Sequence, residues 1–143
     1  MNRLFVYSKR RSCWPQYILR NRFSHLSEAD IKITKVLPLL KKKGWEHENS
    51  ETGTVKSEVP CNPVRGKGSL VCDYVCFDGP FQNQDSKKVM AVEVKSEARF
   101  RTELQKQTAL DQAVAYSIRQ RIPIAIATDG TQVCKVSSFL FYP

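Results

Sequence analysis

The stretch Met90-Ala91-Val92-Glu93-Val94-Lys95-Ser96 sets a carboxylate and an ammonium two residues apart in an otherwise apolar run. Side chains alternate across a strand, so a strand here puts Glu93 and Lys95 on one face and Val92 and Val94 on the other. A charge inside a sheet is kept only when it is paired or bound to a metal, because burial penalises it heavily. Asp73, in Ser69-Leu70-Val71-Cys72-Asp73-Tyr74-Val75-Cys76-Phe77, repeats the problem one apolar run earlier. If Asp73 and Glu93 face each other across neighbouring strands, their like charges call for a cation between them. Two carboxylates, a backbone carbonyl and water make the hard-oxygen site that Mg²⁺ takes. Lys95 can then help activate a water and stabilise charge developing on phosphorus, which is the chemistry of metal-assisted phosphodiester hydrolysis. The competing reading is a structural ion-pair network, with Glu93 on Lys95 or on Arg99 or Arg101.

These groups need elements to position them. Ser27 can cap a helix with Asp30 three residues on, and Ala29, Ile33, Val36, Leu37 and Leu40 repeat at helical spacing. Lys41-Lys42-Lys43-Gly44 closes that helix, and Pro38 is expected to kink or divide it. A weak strand is expected near 54–59, then a basic loop with Arg65 and Lys67, then strands over 70–77 and 89–95 as antiparallel neighbours. The pattern turns helical from Lys106 to Arg121, with Ala109, Gln112, Ala113 and Tyr116 on one stripe. Pro123 to Thr128 reads as a strand buried on both faces and ends at Asp129-Gly130, and Thr131 to Val136 as an edge strand. Helix, strands, helix, strand implies an α/β sandwich around a mixed β-sheet, since strands flanking a long helix lie parallel.

The composition is that of one soluble domain, with 143 residues of which 41% are hydrophobic and 26% charged. No apolar run approaches the roughly 20 residues that span a bilayer. The formal net charge of +9 is uneven. Residues 1–26 carry Arg3, Lys9, Arg10, Arg11, Arg20 and Arg22 with no Asp or Glu, and read as a basic extension ahead of a domain over 27–143. The five cysteines, Cys13, Cys61, Cys72, Cys76 and Cys134, form no CxxC pair, so reduced thiols and a cytoplasmic location are expected.

Taken in order, Ser27-Glu28-Ala29-Asp30, Leu37-Pro38-Leu39-Leu40, Gly44-Trp45, Cys72-Asp73-Tyr74-Val75, Ala91-Val92-Glu93-Val94-Lys95, Gln112-Ala113-Val114-Ala115-Tyr116 and Ala127-Thr128-Asp129-Gly130 carry a resemblance. The chain resembles the N-terminal nuclease domain of the restriction subunit of type I restriction enzymes, within the PD-(D/E)XK nuclease superfamily. The resemblance covers about residues 27–142. It implies a restriction-endonuclease-like core of order αβββαβ, a central mixed sheet flanked by helices. It also implies a Mg²⁺-dependent endodeoxyribonuclease in which Mn²⁺ can substitute. Asp73 and Glu93 take the metal-ligand positions and Lys95 that of the catalytic lysine. Gln112 and Tyr116 match the family's Q-x-x-x-Y motif, which supports the active site or contacts the DNA backbone. Glu28 aligns with the first-helix acid and is a candidate further metal ligand, set behind its simpler role as a first-turn carboxylate at the positive end of the helix dipole. The chain departs from the family at Cys72, at Val94 in place of Ala and at Asp129 in place of Asn. The implied partners are double-stranded DNA together with helicase/translocase and specificity/methylation subunits, since the family's translocating portion lies beyond these residues. The alternative is a non-cleaving DNA-binding or assembly module that keeps the nuclease fold.

Overall fold

Ser27 opens the first helix through a reciprocal cap. Its Oγ accepts the Asp30 N–H at 3.1 Å, and Asp30 Oδ2 accepts the Ser27 N–H at 3.0 Å. The helix runs as α1 (Glu28–Ile31), a π-helical turn Lys32–Val36, and α2 (Leu37–Lys42) in this computed structural model, which describes residues 26–47, 51–61 and 70–137. Pro38 explains the π turn. In a regular helix its ring would press on the Thr34 carbonyl and leave that carbonyl unbonded. One extra residue in the preceding turn, marked by the Leu37 N–H bonding to the Lys32 carbonyl, relieves the conflict.

The π turn also resets which side chains face inward. Ile31, Val36 and Leu40 are buried, at spacings of five and then four, whereas Ala29 is exposed and Ile33 is 66% exposed. The expected stripe is therefore corrected at Ala29 and Ile33. Gly44 leaves the helix at φ 94°, as the Lys-Lys-Lys-Gly ending requires.

Five strands follow: β1 (Val55–Pro60), β2 (Val71–Phe77), β3 (Lys88–Val94), β4 (Ile124–Thr128) and β5 (Val133–Ser137). They form one mixed sheet in the order β1-β2-β3-β4-β5. β3 and β4 are parallel, and the other three pairings are antiparallel. The parallel pair is joined through a 3₁₀ turn at Glu97–Arg99 and the long helix α3 (Glu103–Gln120), the crossover that parallel neighbours need. Thr102 caps α3 with Gln105 in a second reciprocal box, so the helix begins three residues before the expected Lys106.

The helices cover opposite faces of the sheet. Ile31, Val36 and Leu40 pack with Val55, Tyr74, Cys76, Val92 and Val94. From α3, Tyr116 packs with Val75 and Ala91, while Ala109 and Leu110 pack with Ala127. Cover on both sides explains why β2 is buried from Cys72 to Phe77 and why β4 reads as a continuous apolar run. The architecture is α/β, a five-stranded mixed sheet between helices. No described helix is long and apolar enough to cross a membrane. The basic extension, apart from Leu26, and the loop bearing Arg65 and Lys67 lie outside the described residues.

Candidate active site

β2 and β3 pair in one register from Tyr74 opposite Val92 to Cys76 opposite Met90, with a shift before Phe77 opposite Lys88, and that register carried one step beyond Tyr74 would set Asp73 beside Glu93. There the backbone ladder ends and a side chain takes over: Asp73 Oδ2 accepts the Val94 N–H at 2.6 Å. The neighbouring strand changes at the same level. Glu58 holds φ 50°, an uncommon left-handed conformation for a residue with a side chain. Strict alternation would put Val59 with Val55 and Cys72 with Tyr74. Instead Val59 and Cys72 join the cluster around Val75 and Tyr116, so both strands change phase at Glu58 and Asp73.

The shift brings Glu58 and Asp73 to one lysine. Lys32, from the π turn, lies 2.5 Å from Asp73 Oδ1 and 2.8 Å from Glu58 Oε1. Its main chain is fixed as well, because the Lys32 carbonyl accepts the Tyr74 hydroxyl at 3.1 Å. Burial pulls its ammonium toward neutrality, but the two carboxylates outweigh that and hold its pKa well above the usual lysine range.

Glu93 and Lys95 form the other half of the site. Lys95 Nζ sits 2.6 Å from Glu93 Oε1, with side chains 16% and 14% exposed. The Lys95 N–H donates to the Thr128 carbonyl at 2.9 Å, which ties the end of β3 to the end of β4. Burial pushes the Glu93 carboxyl above its ordinary range. The Lys95 hydrogen bond opposes this, and the negative charges of Asp73 and Glu28 add to it. Glu93 therefore feels both other acids.

The turn after β4 braces this corner. The Thr128 hydroxyl donates to the Gln132 carbonyl and accepts the Gly130 N–H, while Asp129 Oδ1 accepts the N–H groups of Thr131 and Gln132. A Cβ on Gly130, at φ 82°, would lie 2.5 Å from the Cβ of Lys35. Only glycine lets the first helix approach so closely.

Gln112 and Tyr116 sit on α3, which runs back against β3. Tyr116 packs on Ala91, so Gln112, one turn earlier, lies at the level of Glu93 two strand residues further on. Gln112 is exposed and Tyr116 is 1% exposed. The Tyr116 hydroxyl has no hydrogen-bond partner among the described residues, and burial raises its pKa. Neither residue bonds to Asp73, Glu93 or Lys95.

The structure thus pairs Glu93 with Lys95 and Asp73 with Lys32, brings both Asp73 and Glu28 within electrostatic reach of Glu93, and sets Gln112 and Tyr116 on α3 without a bond to any of them. Among the described residues no three His, Cys, Asp or Glu side chains are grouped to hold a metal, so Glu28 does not close a third carboxylate position. Asp73 and Glu93 remain a two-carboxylate donor set of the kind Mg²⁺ uses with water and phosphate. Sequence reasoning missed Lys32 and Glu58. A lysine and a glutamate in those positions read as ordinary solvated charges, so neither carries a signal in the sequence. Set against known proteins, the chain matches no family model, no curated protein and no solved structure.

Proposed function

We propose that the chain is a Mg²⁺-dependent endodeoxyribonuclease domain of the kind found in type I restriction subunits, with a restriction-endonuclease-like core. The observation that carries this reading is the buried Glu93–Lys95 pair at the end of β3, with Asp73 at the adjoining end of β2 and the Glu93 carboxyl pushed up by burial and by the charges of Asp73 and Glu28. Helix, three strands, helix and strand, with β3 parallel to β4, fit the same core.

Asp73 and Glu93 would hold the divalent ion, Mg²⁺ or Mn²⁺, and their mutual repulsion gives a cation a reason to bind. Bound there, the ion would supply Lewis-acid charge and an activated water for attack on a phosphodiester. Glu93 fixes Lys95 by a 2.6 Å bond and keeps its ammonium at the partly open mouth of the site. That charge would stabilise negative charge growing on phosphate oxygens. Asp73 is held still by the Val94 N–H. Gln112, exposed on α3, would touch the DNA backbone. Translocating and specificity subunits belong to this reading as partners.

A second reading has its own support. Lys32 on Asp73 and Lys95 on Glu93 already pair both acids, as a non-cleaving DNA-binding or assembly module would. Incubating supercoiled and linear DNA with the full chain and Mg²⁺ or Mn²⁺, beside Lys95→Ala and Asp73→Ala, separates the two. Metal-dependent cutting lost in both variants supports the nuclease. Binding without cutting in either metal, unchanged by either substitution, supports the module.

A further inference from the structure

Lys32 stands where the candidate centre would need a cation. Its Nζ bonds Asp73 Oδ1 directly, so no ion fits between the two groups. A divalent ion binds carboxylate oxygen at about 2.0–2.6 Å, which would set two like charges side by side if the ammonium stayed. The side chain has somewhere else to go. Glu58 also holds the ammonium, and the two carboxylates differ in exposure, with the Asp73 side chain 9% exposed and that of Glu58 61%. The backbone of Lys32 is pinned through its carbonyl, but four methylene groups lie between that anchor and the charge.

We propose that Lys32 is the built-in occupant of this centre: its ammonium and a divalent ion compete for Asp73, and metal binding moves Lys32 outward onto Glu58 alone. The inference rests on the divalent-ion reading of Asp73 and Glu93. Lys32 is then a positioning residue. Without metal it keeps a buried carboxylate paired, and it sets the metal concentration at which the site fills.

The test is Mn²⁺ binding to the full chain without DNA, followed by the loss of the electron paramagnetic resonance signal of free Mn²⁺. Lys32→Gln and Lys32→Met remove the competing charge, and each is expected to tighten binding about tenfold or more, given the strength of charge pairs near a protein surface. Lys32→Arg keeps the charge and is expected to bind like the unaltered chain. Adding Asp73→Asn to Lys32→Gln is expected to abolish the gain. Lys32→Gln retains a donor for Asp73 and so carries the test if Lys32→Met does not fold. Mn²⁺ bound through Asp73 in the unaltered chain, but no tighter in Lys32→Gln, overturns this inference and leaves the metal reading standing. No Asp73-dependent binding in any of these proteins overturns both.

Discussion

The two ends of the β2–β3 pair are built on different principles. From Tyr74 to Cys76, opposite Met90 to Val92, the strands pair in one backbone register, and Val75, Cys76, Ala91 and Val92 are all at most 2% exposed. At Asp73 and Glu93 the ladder gives way to side chains. A carboxylate accepts the Val94 N–H, two lysines meet three acids, and the adjoining strand turns through a left-handed residue at Glu58. A cleft lined by Asp78, Lys87, Lys88, Gln120 and Arg121 opens at the other end of β3, but it gathers no pair of carboxylates. The apolar end holds the fold, and the charged end tolerates buried charge and backbone strain of the sort that accumulates at functional sites.

Substitutions should divide along that line. Lys95→Ala is expected to lower the cleavage rate about 10²–10³-fold, because its ammonium would act on developing charge, and to cost about 1 kcal/mol of stability, because the buried Glu93 carboxylate loses its partner. Asp73→Ala should lower both. It removes the proposed metal ligand, and it costs about 2 kcal/mol because the Val94 N–H and the Lys32 ammonium lose a buried partner. Val75→Ala, at the apolar end, should cost roughly 2 kcal/mol by urea titration, with activity per folded molecule retained. If Val75→Ala instead removed activity at unchanged stability, the contrast between the ends would be broken.

Smaller effects sharpen the same contrast. Burial pushes the Cys76 thiol up to about 12, so in the native protein it should resist alkylation at pH 8. Cys134, half-buried, should react first among Cys61, Cys72, Cys76 and Cys134, as read by site-resolved mass spectrometry. Because folding holds the Cys76 proton more tightly, its contribution is complete below the unfolded thiol pKa and is lost as pH rises from there toward 12. Smallest of all is Tyr116→Phe, expected to change stability by no more than about 0.5 kcal/mol, since a buried hydroxyl with no described partner contributes no net bond.

Much of this plan is legible in the amino-acid order, for identifiable reasons. β2 and β4 stand out because both faces are covered and the runs are continuously apolar, and α3 because its buried positions recur at helical period. The parallel pairing of β3 and β4 follows from the length of the connection between them. The inward face of the first helix is not legible, because a π turn shifts the period by one residue and Pro38 announces a break without saying how it is absorbed. Asp73, Glu93 and Lys95 show themselves as charges in apolar runs. Lys32 does not, since a lysine on a helix ordinarily reads as solvated, and only the left-handed turn at Glu58 brings its two carboxylate partners together. The sequence pattern has Asp73 and Glu93 facing each other, but the paired register stops at Tyr74 and Val92, and each acid takes a lysine of its own.

In the proposed site, Asp73 and Glu93 at the charged end of β2 and β3 would hold a divalent ion. A crystal of the full chain soaked in Mn²⁺, read by anomalous scattering, tests it most directly. The expected result is one strong peak within about 2.0–2.6 Å of carboxylate oxygens from both residues, with the Lys32 ammonium withdrawn from Asp73. A crystal saturated with Mn²⁺ that shows no peak there, and Lys32 still bonded to Asp73, would contradict it.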